Sequence, residues 1–113
     1  MSAITTHVLD TARGKPAEGV PVVLERESSP GRWTEIGRGS TDADGRLRGL
    51  TQNHALERGA HRLTFDTATY FASQSRVAFY PTVIVVFTIA DPAQHHHVPL
   101  LLSPFGYSTY RGS

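Results

Sequence analysis

The sequence contains no cysteine, which excludes disulfide bonds and thiolate metal sites and is typical of a reducing compartment. Charged residues are scattered singly and the net charge is only +1, so no basic patch for nucleic acid or an anionic membrane is expected. The longest apolar run, residues 83–87, is too short to cross a bilayer. The N-terminus lacks the basic and apolar regions of a signal peptide, so the sequence predicts a soluble cytoplasmic protein.

The chain has 113 residues, which is enough for one domain and too few for two. It has no internal repeat, low-complexity tract or linker. We therefore expect residues 1–113 to form a single domain that folds around its own core.

Short stretches rich in β-branched and apolar residues recur along the chain, separated by turns that contain glycine, proline or aspartate. They predict seven or eight strands, near residues 4–10, 20–27, 33–38, 46–50, 61–66, 82–89, 95–102 and 107–111. One weak helix is predicted over 67–75, with Asp66 as its N-cap. This regular spacing of short strands indicates an all-β sandwich of two sheets with one short helix.

The penultimate strand begins with three histidines, His95 to His97. Because strand side chains alternate, His97 lies on the face opposite to Val98 and Leu100, which should point into the core. Only His95 and His97 could share a metal, and a zinc site needs three or four convergent ligands, so acid–base use is the better interpretation. The polar and aromatic C-terminal tail is expected to form a final strand that is held in place, although chain termini are usually poorly ordered.

Three further residues are candidates for chemistry, although position alone favours a simpler interpretation of each. His7 lies inside the first strand, where a half-buried histidine bonded to the backbone is the ordinary case. Arg46 leaves a tight turn over residues 42–45, in which the ligand pattern of a calcium loop fails; by itself it would be a solvated charge. Tyr110 could be a packing aromatic, as Tyr107 is expected to be.

Motifs at both ends of the chain are similar to those of the transthyretin-like family, and the tail is similar to its enzyme branch, the 5-hydroxyisourate hydrolases. The motifs are His7-Val8-Leu9-Asp10 followed by Gly14, Pro16 and Ala17; Asp44-Gly45-Arg46; His97-Val98-Pro99-Leu100; and Tyr110-Arg111-Gly112-Ser113. The resemblance implies a transthyretin-like two-sheet sandwich that hydrolyses 5-hydroxyisourate, a small molecule, without a cofactor or metal. Two positions depart from the family pattern: His96 replaces a usual aromatic residue, and Thr82 a common glutamate.

Carried over residue by residue, the resemblance implies that His7, Arg46 and His97 are catalytic. His7 and Arg46 would also bind substrate, together with Tyr110 and Ser113 of the tail. The histidines would divide the roles of general base and general acid, and the arginine would stabilise developing negative charge. The sequence leaves open which histidine is the base.

The resemblance also implies a homotetramer, a dimer of dimers with its sites at the dimer–dimer interface. Two other functions remain open at this point. A transthyretin-type carrier of small ligands would share the fold but line its channel with more apolar groups. A structural sandwich that only contacts other proteins would leave both terminal motifs unexplained.

Overall fold

The computed structural model describes residues 3–52 and 54–113. Within these ranges the chain forms nine strands and one short helix. In chain order they are β1 (Ile4–Asp10), β2 (Lys15–Pro16), β3 (Pro21–Ser29), β4 (Arg32–Ser40), β5 (Arg46–Leu47), β6 (Gly59–Phe65), α1 (Thr67–Ala72), β7 (Val83–Ile89), β8 (His96–Ser103) and β9 (Gly106–Thr109).

The strands are arranged in two sheets, which confirms the predicted all-β sandwich. The first sheet has the order β2-β1-β8-β9, with β5 also paired to β1, and the second has the order β4-β3-β6-β7. β1 and β8 are parallel, with Ile4 opposite His96 and Asp10 opposite Leu102. The extra strand is the two-residue β2, which lies outside the predicted strands; it forms because Lys15 and Pro16 align with the edge of β1.

The core lies between the two sheets and is filled by the inward-facing residues of each. Alternate residues of β1 are buried, as its pattern predicts. In β8, Val98, Leu100 and Leu102 are buried, as is His96 on the same face, while His97 is only half-buried. Each buried aliphatic side chain stabilises the fold by roughly 1.5–3 kcal/mol. The burial of Val98, Leu100 and Leu102 therefore determines which face of β8 is inside, and the opposite face carries His97.

The helix begins where it was predicted and ends sooner. Asp66 accepts a hydrogen bond from the Thr69 amide at 3.1 Å, which confirms it as the N-cap. The helix stops at Ala72 rather than residue 75, and Ser75 takes a left-handed conformation with φ of 56°. Such a residue ends a helix because the chain can no longer continue the helical hydrogen bonds. No helix in the described part of the chain is long and apolar enough to span a membrane.

A buried polar network ties the end of β1 to the helix. The Tyr70 hydroxyl donates to the Asp10 carboxylate at 2.8 Å, and Arg76 forms an ion pair with the same group. Burial alone would raise the pKa of Asp10, but the hydrogen bonds from Arg76, Tyr70 and the Arg13 amide outweigh it and hold that pKa below its usual value. Asp10 is therefore an ionised carboxylate inside the fold, and β1 is fixed at its C-terminal end.

The C-terminal tail is hydrogen-bonded to β8 at two places. β9 pairs antiparallel with β8, and beyond it the Gly112 amide donates to the His97 carbonyl oxygen at 2.8 Å. This isolated bridge confirms that the tail is pinned. It also places residues 112 and 113 beside His97, the histidine predicted to be catalytic.

Candidate active site

The outer face of the first sheet brings together residues from distant parts of the chain. His7 of β1 is aligned with Arg46 of β5 on one side and with Pro99 of β8 on the other. One row along the sheet, Thr5 is aligned with His97. The parallel pairing of β1 with β8 therefore places His7, Arg46 and His97 within two adjacent rows.

Arg46 is positioned by the turn that precedes it. The Asp42 carboxylate accepts from the amides of Asp44 and Arg46 at 2.9 and 3.0 Å. The Arg46 amide is the main cause that holds the pKa of Asp42 below its usual value. Gly45 has φ of 75°, and a Cβ there would lie 2.4 Å from the Val8 carbonyl oxygen, so only glycine fits.

His7 is bonded to this same turn. Its Nε2 lies 2.8 Å from the Asp44 carbonyl oxygen. Because a carbonyl can only accept, Nε2 must carry the proton, and a neutral His7 then has its lone pair on Nδ1. The histidine is thus held to the backbone, as the position-only interpretation expected, and it also stands beside Arg46.

His97 is half-buried and surrounded by cationic or titratable neighbours. Its Nδ1 lies 2.8 Å from the Thr5 hydroxyl oxygen. Burial, followed by the charges of Arg46, His7 and His95, lowers the pKa of His97. Its imidazole is therefore neutral at pH 7, the form that can accept a proton from water.

A cavity of about 820 Å³ opens in front of His97. Of the residues predicted from the sequence, Arg46, His97 and Ser113 line it. His7 lies beside it in the sheet. Tyr110 does not line it but lies in a neighbouring depression whose wall shares His95 and Ser113 with the cavity. The Tyr110 side chain is 58% exposed.

The cavity wall also includes residues to which the sequence assigned no role. They are Thr5, Thr6, Arg48, Gly49, Thr51, Gln52 and His54; His95, which strand alternation places on the face of His97, lines the cavity too. Thr5 could have been found from strand periodicity, since it lies two residues from His7 on β1 and so shares its face. Arg48 could not, because β5 ends at Leu47 and not at residue 50 as predicted. Thr51 and His54 belong to a loop, where no such rule applies.

Among the described residues, no three histidine, aspartate or glutamate side chains come together as metal ligands would. His95 and His97 face the same cavity with ring centroids 6.4 Å apart, and both are hydrogen-bonded to Thr5. His96 points to the opposite, buried face. The arrangement suits proton transfer between fixed imidazoles, with a guanidinium for negative charge.

The HIUase/Transthyretin family model matches residues 4–112. The chain belongs to this family. It is 48% identical over 113 residues to a 5-hydroxyisourate hydrolase of Mus musculus, an alignment that covers 99% of this chain and 96% of the mouse protein. The resemblance drawn from the terminal motifs is thereby confirmed.

Solved structures of the family include both of its branches. The structure of Klebsiella pneumoniae 5-hydroxyisourate hydrolase superposes with a TM-score of 0.85 at 37% identity and covers all of both chains. Sea bream transthyretin in complex with thyroxine gives a TM-score of 0.89 at 34% identity, covering 97% of this chain and 94% of that chain. The shared fold does not separate enzyme from carrier, so the site residues must do so.

Proposed function

We propose that this protein hydrolyses 5-hydroxyisourate in urate degradation, opening its six-membered ring at a carbonyl to give 2-oxo-4-hydroxy-4-carboxy-5-ureidoimidazoline. One observation carries the proposal: the imidazole of His97, whose pKa is lowered by burial, and the guanidinium of Arg46 line the same cavity. The relative from Mus musculus, which carries this activity in its name, aligns along nearly the whole chain.

In the proposed mechanism, water attacks the ring carbonyl directly. His97 accepts a proton from that water, and the planar guanidinium of Arg46 stabilises the negative charge that develops on the carbonyl oxygen. The leaving ring nitrogen must then be protonated. His7 lies in the row of the sheet next to that of His97. Its hydrogen bond to the Asp44 carbonyl oxygen fixes the orientation of its ring. Roles for Tyr110 and Ser113 in substrate binding are part of the proposal.

We further propose that the active form is a homotetramer, a dimer of dimers with its cavities at the dimer–dimer interface. Each sheet ends in an open edge strand, β7 or β9. Exposed apolar side chains lie on or near both edges, including Ile84, Val86, Phe105 and Tyr107. Open apolar edges favour pairing with a second copy, and a further copy over the outer face of the first sheet would enclose the cavity. A cytoplasmic location stays a prediction of the sequence.

One observation supports an alternative function, that of a carrier of small ligands. The sea bream transthyretin in complex with thyroxine has the same fold at a TM-score of 0.89, so a non-catalytic carrier of small ligands is the alternative. The polar lining of the cavity argues against it, because an apolar ligand would take water from Arg46, Arg48 and His97 without offering them hydrogen bonds in return.

The test follows the ultraviolet decay of 5-hydroxyisourate, generated in place by a urate oxidase, with and without the protein. We expect fast decay with the wild type, a loss of about 100-fold or more for His97→Ala, and a clear loss for Arg46→Lys, because a point charge does not replace a planar fork. Arg58→Lys is the matched control, since Arg58 is an exposed arginine bonded to the Ala90 carbonyl. Decay at the spontaneous rate with folded wild-type protein would exclude the hydrolase and leave the carrier.

A further inference from the structure

One hydroxyl group in the cavity wall is hydrogen-bonded to two imidazoles. The Thr5 oxygen lies 2.8 Å from His97 Nδ1 and 2.9 Å from His95 Nε2. A hydroxyl has a single hydrogen, so it can donate to only one ring and must accept from the other. The protonation of the two histidines is therefore linked through Thr5.

Two arrangements satisfy both hydrogen bonds when the rings are neutral. In the first, His97 donates its Nδ1 hydrogen to Thr5, and Thr5 donates to His95 Nε2. In the second, both directions are reversed, and the proton of His97 is on Nε2. Only the first arrangement leaves a lone pair on Nε2 of His97, the ring nitrogen that Thr5 does not occupy.

We propose that Thr5 is a positioning residue that holds His97 with its proton on Nδ1 and relays protons between His97 and His95. This inference rests on the proposed hydrolase function. When Nε2 of His97 takes a proton from the attacking water, the Nδ1 proton passes to the Thr5 oxygen and the Thr5 hydroxyl proton passes to His95 Nε2. His97 is then neutral with its proton on Nε2, and His95 is an imidazolium.

The second half of the reaction reverses the relay. His97 gives its Nε2 proton to the leaving ring nitrogen, Thr5 gives its proton to Nδ1 of His97, and the imidazolium of His95 returns a proton to the Thr5 oxygen. All three groups are restored and no proton is lost or gained by the protein. One histidine thus serves as base and then as acid, while its neighbour holds the charge in between.

The surroundings of the two rings favour this direction. His97 is half-buried, and Arg46 from β5 and His7 from β1 both act against a positive charge on it. Arg48 and Ser113 line the same cavity. Within one chain His95 is more exposed than His97, so an imidazolium there loses less of its hydration. Moving the charge from His97 to His95 therefore moves it to the less desolvated of the two positions.

Three variants separate positioning from relay. Thr5→Val keeps the β-branched shape without the hydroxyl, and we expect kcat to fall about 100-fold with KM changed less than about twofold. Thr5→Ser restores the hydroxyl and should recover most of the lost kcat. His95→Gln still accepts from Thr5 but cannot bind a proton, so we expect about a tenfold loss of kcat and one fewer titrating group in the acidic limb of the pH profile.

Nitrogen-15 NMR of histidine-labelled protein tests the tautomer directly, without substrate. We expect His97 to be protonated on Nδ1 in the wild type and in His95→Gln, and to become a tautomer mixture in Thr5→Val. A wild-type His97 protonated on Nε2, or a Thr5→Val variant with wild-type kcat and pH profile, would overturn the inference. If the wild type does not hydrolyse 5-hydroxyisourate, the proposed function fails, and the NMR result still decides the positioning role.

Discussion

Gly112 lies against the ring of His97, and adding a single methyl group there is a sharp test of how strictly that ring must be held. An ideal Cβ at position 112 would lie 2.6 Å from His97 Cδ2 and 3.3 Å from its Cγ. The ring cannot yield freely, because its Nδ1 is bonded to Thr5. The Gly112 amide is itself bonded to the His97 carbonyl, so the tail is also restrained.

The size of the disturbance follows from these distances. Ordinary contacts begin near 3.4 Å, so the ring and the tail must separate by about 0.8 Å, the difference between 3.4 and 2.6 Å. A displacement of about 1 Å of a reacting group can cost about 100-fold in rate. We therefore expect Gly112→Ala to lower kcat by roughly 10- to 100-fold. Because the tail is largely exposed, the loss in the free energy of unfolding should stay near 1 kcal/mol.

The assay is steady-state decay of 5-hydroxyisourate together with thermal melting of the same samples. Gly106→Ala is the matched control, since a Cβ there would meet only Ser103 Oγ, at 3.8 Å, and we expect it to keep wild-type kcat. A folded Gly112→Ala variant with wild-type kcat would show that the position of the His97 ring is not critical, and the argument from geometry would be wrong.

Three further predictions concern stability. Asp10→Ala should lower the free energy of unfolding by about 3 kcal/mol in urea titrations, because it leaves a half-buried arginine without its carboxylate; a loss below about 1 kcal/mol would contradict this. Burial lowers the pKa of both His61 and His96, so the unfolded chain takes up protons first and Tm should fall as the pH drops below the ordinary value of 6.5. In the double variant His61→Phe, His96→Phe, we expect Tm to fall less steeply as the pH drops. An unchanged dependence of Tm on pH would show that these two histidines do not cause it. Gly37→Ala should cost about 1–3 kcal/mol in urea, because its Cβ would lie 2.0 Å from the Leu50 carbonyl oxygen; wild-type stability would show that this loop moves freely.

Strand periodicity predicted those parts of the fold whose burial is set locally. β1 spans the predicted residues because its alternation is regular from Ile4 to Asp10. The split of β8 into a core face and a site face also followed from alternation, with His96 on the core face. β2 was missed because both of its residues are exposed, and its only cause is the neighbouring edge of β1, which no local pattern encodes.

Local alternation could not predict which residues form the site, because the site depends on pairing between strands that are distant in the sequence. Position alone gave His7 and Arg46 ordinary structural roles, and it is the register of β1 with β5 and β8 that brings them near His97. The family resemblance supplied those residues. It did not supply Thr5, whose importance comes from two distances, 2.8 and 2.9 Å, that only the folded chain defines.

The parallel pairing of β1 with β8 has a consequence for how the protein is made. Thr6 and Val98 are in contact although 92 positions separate them, so β1 leaves the ribosome well before β8, the strand with which it forms its longest pairing. Contacts of such long range slow folding, and the unpaired β1 is exposed to wrong partners meanwhile. We therefore expect the cavity to assemble only after β8 has paired with β1, so that recovery of catalysis would report that late pairing.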